Sequence, residues 1–177
     1  AGDARPKAHH SVTSPIVQSS TYTFADTAAL VEYMEASLLP EKRQRDEYGR
    51  YGNPTVRAVE ARLAALEGGD DAVLVSSGMA AITGTLLALL SAGSHLILTG
   101  GSYRGTRDFV HDFLARFGVE TTITPSGDLA AVEAAIRPTT RLILSESPTN
   151  PFMRCLDLGR LGEIGRRDEA ARPAIGQ

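Results

Sequence analysis

The chain has 177 residues, of which 42% are hydrophobic and 22% are charged, as expected for a soluble globular domain with its own core. A net charge of -3 and scattered arginines exclude a typical nucleic-acid surface, and no apolar run is long enough to cross a bilayer. Because the N-terminus lacks a secretory signal pattern, we expect a cytoplasmic protein without nucleic-acid or membrane partners.

The N-terminal third contains an extended segment and two predicted helices. Residues 1–20 are polar and contain two prolines, which predicts an extended arm. Asp26 is a suitable N-cap for a helix through Leu38, and a charged loop follows. Asn53-Pro54 predicts a second helix start, because asparagine caps helices and proline favours the first helical position. This helix runs through Leu66 and stops at a glycine pair.

Beyond residue 70, strand-like and helix-like runs alternate. This alternation predicts an α/β fold with a mostly parallel sheet and flanking helices. The strand-like runs are Ala72–Val75, His95–Thr99, Val119–Thr124 and Arg141–Ser145, and the helical runs are Ala80–Leu90, Arg104–Phe117, Leu129–Ile136 and Leu158–Ala171.

Polar and glycine-rich turns follow three of the predicted strands. They are Ser76–Met79, Gly100–Tyr103 and Glu146–Pro151. Ligands of parallel sheets bind where strands end, and unpaired amides at a helix start attract anions. Because neither a dinucleotide fingerprint nor a P-loop is present, we expect a smaller phosphate. The alternative for the first turn is an ordinary capped helix.

A second candidate anion contact lies upstream, in the motif that runs from Tyr48 to Thr55. Tyr48 and Arg50 are two residues apart on a predicted extended loop, so that a phenol and a guanidinium point the same way. The alternative is a solvated loop arginine. The single cysteine, Cys155, is interpreted as a buried spectator, and no metal site is predicted.

Three of these motifs, in this order, resemble the pyridoxal-phosphate (PLP) enzymes of cysteine and methionine metabolism. They are Tyr48–Thr55, Ser77-Gly78-Met79 with Tyr103, and Glu146–Pro151. The family includes cystathionine γ-synthase, cystathionine γ-lyase and methionine γ-lyase. The resemblance implies a fold-type I PLP-dependent large domain, truncated and preceded by an extended N-terminal arm. Residues 1–55 would form the arm and subunit contacts, and residues 56–177 the N-terminal half of the PLP-binding domain.

The resemblance also implies how the cofactor phosphate is held. The Gly78 and Met79 amides, with the Ser77 hydroxyl, would bind the phosphate of their own subunit. Tyr48 and Arg50 would bind the phosphate of a neighbouring subunit, so that the site is shared between copies of the chain. The expected assembly is a homo-oligomer, a dimer of dimers.

Contacts to the cofactor ring and the substrate are implied in the same way. Tyr103 matches the tyrosine that stacks on the pyridine ring and assists proton transfer, which makes it the predicted catalytic residue. Asn150 matches the residue that hydrogen-bonds the ring hydroxyl, and Glu146 its supporting neighbour. Arg107 lies where related enzymes carry an arginine for a substrate carboxylate, although a surface helix arginine is the alternative.

One feature departs from the family pattern. The chain has only two lysines, Lys7 and Lys42, and neither lies in the segment that supplies the cofactor-binding lysine. We therefore expect an N-terminal portion of the enzyme that is inactive alone. The predicted activity of the complete enzyme is PLP-dependent γ-elimination on a sulfur amino acid. The alternatives are γ-replacement that forms cystathionine, a catalytically silent fragment, and an α/β domain for an unrelated phosphate ligand.

Overall fold

The structure is a computed structural model that describes residues 8–37 and 46–171. Its internal contacts divide the chain into two units, Ala1–Leu74 and Val75–Gln177. The sequence-based division assigns residues 1–55 to subunit contacts and residues 56–177 to cofactor binding. This functional division stays a prediction. Within the described residues, no helix has the length and apolar character needed to cross a membrane.

The first helix of the N-terminal unit, α1 (Thr27–Ser37), begins at its predicted cap. The Ala29 N–H donates to Asp26 Oδ1 at 2.8 Å, which satisfies one of the amides that a helix start leaves unpaired. Tyr33 is buried, and its ring lies 5.3 Å from that of Phe24. The predicted last residue of this helix, position 38, lies outside the described residues.

The second helix, α2 (Pro54–Glu67), begins as predicted and ends one residue after the predicted Leu66. Asn53 Oδ1 accepts from the Thr55 N–H at 2.8 Å, and proline occupies the first helical position. Gly68 ends the helix with φ +68°, and its N–H donates to the Ala64 carbonyl. A left-handed residue at this place favours glycine, because glycine has no Cβ to clash.

The arm is anchored to the start of α2. The Val17 N–H donates to Thr55 Oγ1 at 2.8 Å, and Asn53 Nδ2 donates to the Val17 carbonyl at 2.9 Å. Further along, Thr21 forms an isolated antiparallel bridge with Tyr48. Of the predicted extended arm, the described part begins with a 3-10 turn (Ala8–His10), and residues 11–20 form no helix or strand. The bonds to Thr55 and Asn53 fix this part within the N-terminal unit.

The C-terminal unit contains a parallel sheet of three strands with the order β2-β1-β3. Ile97 of β1 pairs with Thr122 of β2 and with Ile143 of β3. The elements in chain order are α3 (Gly78–Leu89), β1 (His95–Thr99), α4 (Arg104–Asp108), β2 (Glu120–Thr124), α5 (Leu129–Ala134), β3 (Thr140–Leu144) and α6 (Leu158–Ala171).

Helices pack on both faces of β1, which is buried along its whole length. Side chains alternate between the faces of a strand, so Leu96 and Ile97 enter different clusters. Leu96 packs with Leu86 of α3, and Ile97 packs with Val132 of α5 and with Ile164 of α6. The predicted parallel sheet with flanking helices is confirmed.

A closed polar network ties the amino ends of the strands together. His95 is fully buried, with Nδ1 2.8 Å from Thr140 Oγ1 and Nε2 2.9 Å from Thr122 Oγ1. Arg137 donates from its backbone to Thr140 Oγ1 and from its guanidinium to Thr122 Oγ1 and Glu120. Burial lowers the pKa of His95 from its ordinary value, and the nearby Arg137 charge lowers it further, although Glu120 opposes the change.

The predicted strand Ala72–Val75 is wrong. The run is not part of a strand, and 81% of Val73 is exposed. The Leu74 N–H donates to the Glu60 carboxylate at 2.8 Å instead of to a neighbouring strand. A strand requires a partner for its backbone groups, and no described strand pairs with this run.

Two smaller expectations also differ from the structure. The predicted helix Arg104–Phe117 becomes α4, a π-helical turn and a final 3-10 turn. The rings of Phe109, Phe113 and Phe117 follow one another along it, with centroids 4.9 Å apart at each step. Cys155, expected to be buried, is exposed.

Candidate functional site

The carboxyl ends of β1 and β3 lie next to each other and carry two of the predicted site residues. Thr99 Oγ1, at the end of β1, donates to Ser145 Oγ after β3 at 2.9 Å. Four residues beyond Thr99, the Tyr103 N–H donates to Glu146 Oε2 at 2.7 Å. The structure therefore brings Tyr103 and Glu146 together, and the Glu146 carboxylate holds the backbone that carries the tyrosine ring.

Asn150 belongs to the same cluster. Its N–H donates to the Gly101 carbonyl at 2.8 Å, which ties the loop after β3 to the turn after β1. The preceding residue, Thr149, is only 1% exposed. Because Gly101 and Tyr103 share one short turn, this bond fixes Asn150 relative to the tyrosine.

The start of α3 has the features of an anion site. Ser77 caps the helix, and its Oγ accepts from the Ala80 N–H at 3.1 Å. The Gly78 and Met79 amides are the first two of the helix and have no intrahelical acceptor. Gly78 is exposed, and a Cβ built on it would meet none of the surrounding side chains or segments within 4 Å, so this helix start is open on its side-chain face. Amides and a hydroxyl around an open space suit a monophosphate.

Met79 connects this helix start to α4. Thr106 Oγ1 of α4 donates to Met79 Sδ at 3.9 Å, and Thr106 is 2% exposed. Arg107 follows Thr106 and is exposed, one helical turn beyond Tyr103, whose carbonyl accepts its N–H at 3.2 Å. The phosphate candidates, the aromatic ring and the predicted substrate arginine are thus carried by two helices that contact each other.

The donor set of this region fits PLP. The amides and hydroxyl at the start of α3 match its phosphate, and the Tyr103 ring, which is 49% exposed, offers a flat face to its pyridine ring. Asn150, also exposed, adds an amide side chain for a polar ring substituent. These residues supply contacts to the phosphate, to the ring face and to a polar ring substituent of a phosphorylated aromatic cofactor.

Tyr48 and Arg50 belong to the N-terminal unit, and the structure places them in contact. Arg50 Cζ lies 4.8 Å from the centre of the Tyr48 ring and 5.2 Å from that of the Tyr51 ring. The Gly49 N–H donates to the Ser20 carbonyl at 2.7 Å and holds the loop against the arm. Arg50 Nη2 also donates to the Tyr51 hydroxyl at 3.5 Å, and a guanidinium has further N–H donors that can engage an anion.

Four residues at or near these sites were missed by reasoning from sequence. Tyr51 could have been found, since it flanks Arg50 in the same motif as Tyr48. Gly105 supports the Tyr103 ring: a Cβ there would lie 2.6 Å from Tyr103 Cε1. Gly101 and Thr149 contact each other only because the chain folds, and no local pattern signals the pair.

Comparison with known proteins gives the family. A family model described as "Cys/Met metabolism PLP-dependent enzyme" matches residues 1–172. The chain belongs to this family. Cystathionine gamma-synthase 1, chloroplastic, of Arabidopsis thaliana is 41% identical over 86% of the chain, and L-methionine gamma-lyase of Pseudomonas putida is 40% identical over 88%. The resemblance stated from the motifs is therefore confirmed, as is the dependence of the family on PLP.

The match covers only part of each relative. The chain spans 26% of the length of the Arabidopsis synthase and 38% of that of the Pseudomonas lyase. A crystal structure from Campylobacter jejuni contains a pyridoxyl-lysine monophosphate and aligns with a TM-score of 0.78 at 29% identity, over 92% of this chain and 39% of that one. The fold class of this family member, a PLP-dependent transferase sheet with flanking helices, is confirmed.

Proposed function

We propose that this chain carries the cofactor site of an enzyme that eliminates the γ-substituent of a sulfur amino acid, in the manner of a cystathionine or methionine γ-lyase. The observation that carries the proposal is the joining of two strand ends. Glu146 Oε2 accepts from the backbone N–H of Tyr103 at 2.7 Å, and the Gly101 carbonyl accepts from the backbone N–H of Asn150 at 2.8 Å. These bonds hold an aromatic face and an amide side chain in one cluster.

The start of α3 holds the cofactor phosphate in this proposal. The Gly78 and Met79 amides and the Ser77 hydroxyl would bind the phosphate dianion, and the positive end of the helix dipole would strengthen that binding. The Thr106 contact to Met79 keeps this helix start next to the turn that carries Tyr103.

The remaining residues orient the cofactor ring and move protons. When bound, PLP supplies an electron-withdrawing ring that makes the α-proton of an amino acid removable. Tyr103 would stack on the ring, and its hydroxyl would assist proton transfer. Asn150 binds the ring hydroxyl, and Glu146 fixes the Tyr103 backbone. The exposed Arg107 guanidinium binds a carboxylate of the substrate.

A second copy of the chain completes the site. Tyr48 and Arg50 bind the cofactor phosphate of the partner subunit, in a dimer that pairs again to form a tetramer. The support is local: Arg50 Cζ lies within 5.2 Å of the centroids of the Tyr48 and Tyr51 rings, and these contacts position a guanidinium that can recognise a phosphate. Site sharing is tested by mixing Arg50→Ala subunits with subunits substituted at Gly78. One complete site is restored in the mixed dimer only if the site is shared between subunits.

Two alternatives have specific support. γ-Replacement that forms cystathionine is supported by the 41% identity with the Arabidopsis synthase. A catalytically silent role is supported by the lysine content, because the chain has only Lys7 and Lys42, and neither matches the segment in which the family carries its cofactor-binding lysine. That the protein is cytoplasmic stays a prediction, and cell fractionation tests it.

The deciding experiment measures 2-oxo acid release from cystathionine and methionine by the protein at its full natural length. Release without an added nucleophile supports γ-elimination. Turnover that requires an O-acylated homoserine together with cysteine supports γ-replacement and overturns the first proposal. Failure of the protein to retain PLP after dialysis supports the silent alternative.

A further inference from the structure

Gly101 and Thr149 form a close contact behind the candidate site. Gly101 lies in the turn after β1, and Thr149 lies in the loop after β3. A Cβ added to Gly101 would lie 2.9 Å from Thr149 Cβ and 3.1 Å from Thr149 Cγ2. The first distance is shorter than real Cβ contacts allow, so any other residue at position 101 must push the two segments apart.

Thr149 is fixed and cannot move away easily. Its N–H donates to the Arg154 carbonyl at 2.9 Å, and its Oγ1 accepts from the Arg154 N–H at 3.1 Å. Its carbonyl accepts from the Met153 N–H at 2.8 Å, and 1% of the residue is exposed. A buried side chain with its hydroxyl and both backbone groups engaged resists displacement.

The contact also controls where two site residues lie. The Gly101 carbonyl accepts from the amide of Asn150, the residue after Thr149, and Tyr103 follows Gly101 by two positions. Between them, Ser102 is 4% exposed and its Oγ donates to the Thr99 carbonyl at 2.6 Å. A shift at Gly101 is therefore passed to both Asn150 and Tyr103.

We propose that the Gly101–Thr149 contact is a positioning device that sets the Asn150 side chain against the cofactor ring hydroxyl. In this proposal Gly101 and Thr149 are positioning residues that act through Asn150 and Tyr103. The functional part of this inference rests on the proposed function, whereas the contact itself does not. The device requires glycine at position 101, because a Cβ there would lie 2.9 Å from Thr149 Cβ and would disturb the 2.8 Å bond from the Asn150 backbone N–H to the Gly101 carbonyl.

The test uses Gly101→Ala with Gly93→Ala as its matched control. Both glycines have positive φ, +80° and +82°, so alanine introduces the same backbone strain at each. A Cβ at Gly93, before the amino end of β1, would meet no atom within 4 Å. A difference between the two variants therefore reports the contact with Thr149 and not the backbone angle.

The first measurement is hydrogen exchange of the Asn150 and Tyr103 amides in the complete chain. Gly101→Ala is expected to speed both by at least about tenfold relative to Gly93→Ala, since the bonds that protect them weaken. Equal exchange in the two variants overturns the device. Thr149→Ser keeps Cβ and the hydroxyl and is expected to retain protection of both amides. Thr149→Val removes the acceptor for the Arg154 N–H and is expected to lose this protection.

The second measurement is the affinity ratio of PLP to 3-deoxypyridoxal phosphate, which lacks the ring hydroxyl. The unmodified chain and Gly93→Ala are expected to prefer PLP by about tenfold, the value of one hydrogen bond, and Gly101→Ala to lose this preference. A preference that survives in Gly101→Ala overturns the positioning role. If the unmodified chain binds PLP and 3-deoxypyridoxal phosphate equally while the Asn150 and Tyr103 backbone amides stay protected, the role given to Asn150 is overturned. The Gly101–Thr149 contact itself is then unaffected.

Discussion

The two ends of the same three strands differ in how their polar groups are satisfied. At the amino ends, the His95 ring bonds to Thr122 and Thr140 and has no exposed surface. At the carboxyl ends, the Tyr103 and Asn150 backbones are bonded to neighbouring segments, while 49% of Tyr103 is exposed. A polar network closed on itself contributes stability, and fixed backbones with exposed side chains provide a binding site.

The largest expected effect comes from Tyr103→Phe, at the carboxyl end. Removal of the hydroxyl is expected to lower turnover by the full-length protein by about 10²- to 10⁴-fold, the range for a lost proton-transfer group. Urea unfolding should change little, because no protein partner of the hydroxyl is recorded among the described residues and the ring is half exposed. A large loss of stability with normal turnover per folded molecule would assign Tyr103 to structure.

An intermediate effect is expected from His95→Leu, at the amino end. The substitution fills similar volume but removes one hydrogen bond from the buried Thr140 hydroxyl and one from the half-buried Thr122 hydroxyl, which keep their bonds to Arg137, so the free energy of unfolding should fall by about 2 kcal/mol. His111→Asn is the matched control, since the His111 side chain is 83% exposed. Urea unfolding of both variants measures the difference. Equal stability of the two variants would contradict a stabilising role for the network.

The smallest expected effect is the pH dependence of that network. Because burial lowers the pKa of native His95 below its ordinary value of 6.5, the unfolded chain binds a proton first as the pH falls. Stability is therefore complete above about pH 6.5 and declines below it, by at most about 1.4 kcal/mol per pH unit, until native His95 is protonated. Urea unfolding between about pH 5 and 7 should show this slope, and His95→Leu should be flatter. Parallel curves would show that other groups cause it.

Local signals predicted the helix starts and much of the sheet. Asp26, Asn53 and Gly68 act at helix ends through bonds to residues only a few positions away, so the sequence contains the whole arrangement. His95–Thr99 was predicted with its observed bounds, because a short apolar run between turn residues is typical of a buried strand.

The run Ala72–Val75 shows why the same reasoning fails elsewhere. Its composition is that of a buried strand, yet strand formation depends on a hydrogen-bonding neighbour that composition does not specify. In the structure, the Leu74 amide bonds to Glu60, 14 positions away. The contact between Gly101 and Thr149, 48 positions apart, is equally invisible in any local pattern.

The candidate site was predicted as a set of motifs but not as a geometry. The motifs placed Tyr103, Glu146 and Asn150 at strand ends, because parallel strands present their carboxyl ends at one edge. They gave no sign that a backbone amide of Tyr103 would bond to Glu146, or that Thr149 would be the buried residue between the segments.

The amino-acid sequence by itself determined the helix caps, the alternation of strands and helices, and the family, because each depends on residues that are close along the chain or on motif order. Tertiary structure alone decided which apolar runs became strands, that His95 is enclosed, and that Gly101 must lack a side chain. These outcomes depend on atoms brought together from distant positions, where packing density and hydrogen-bond satisfaction act only after the chain has folded.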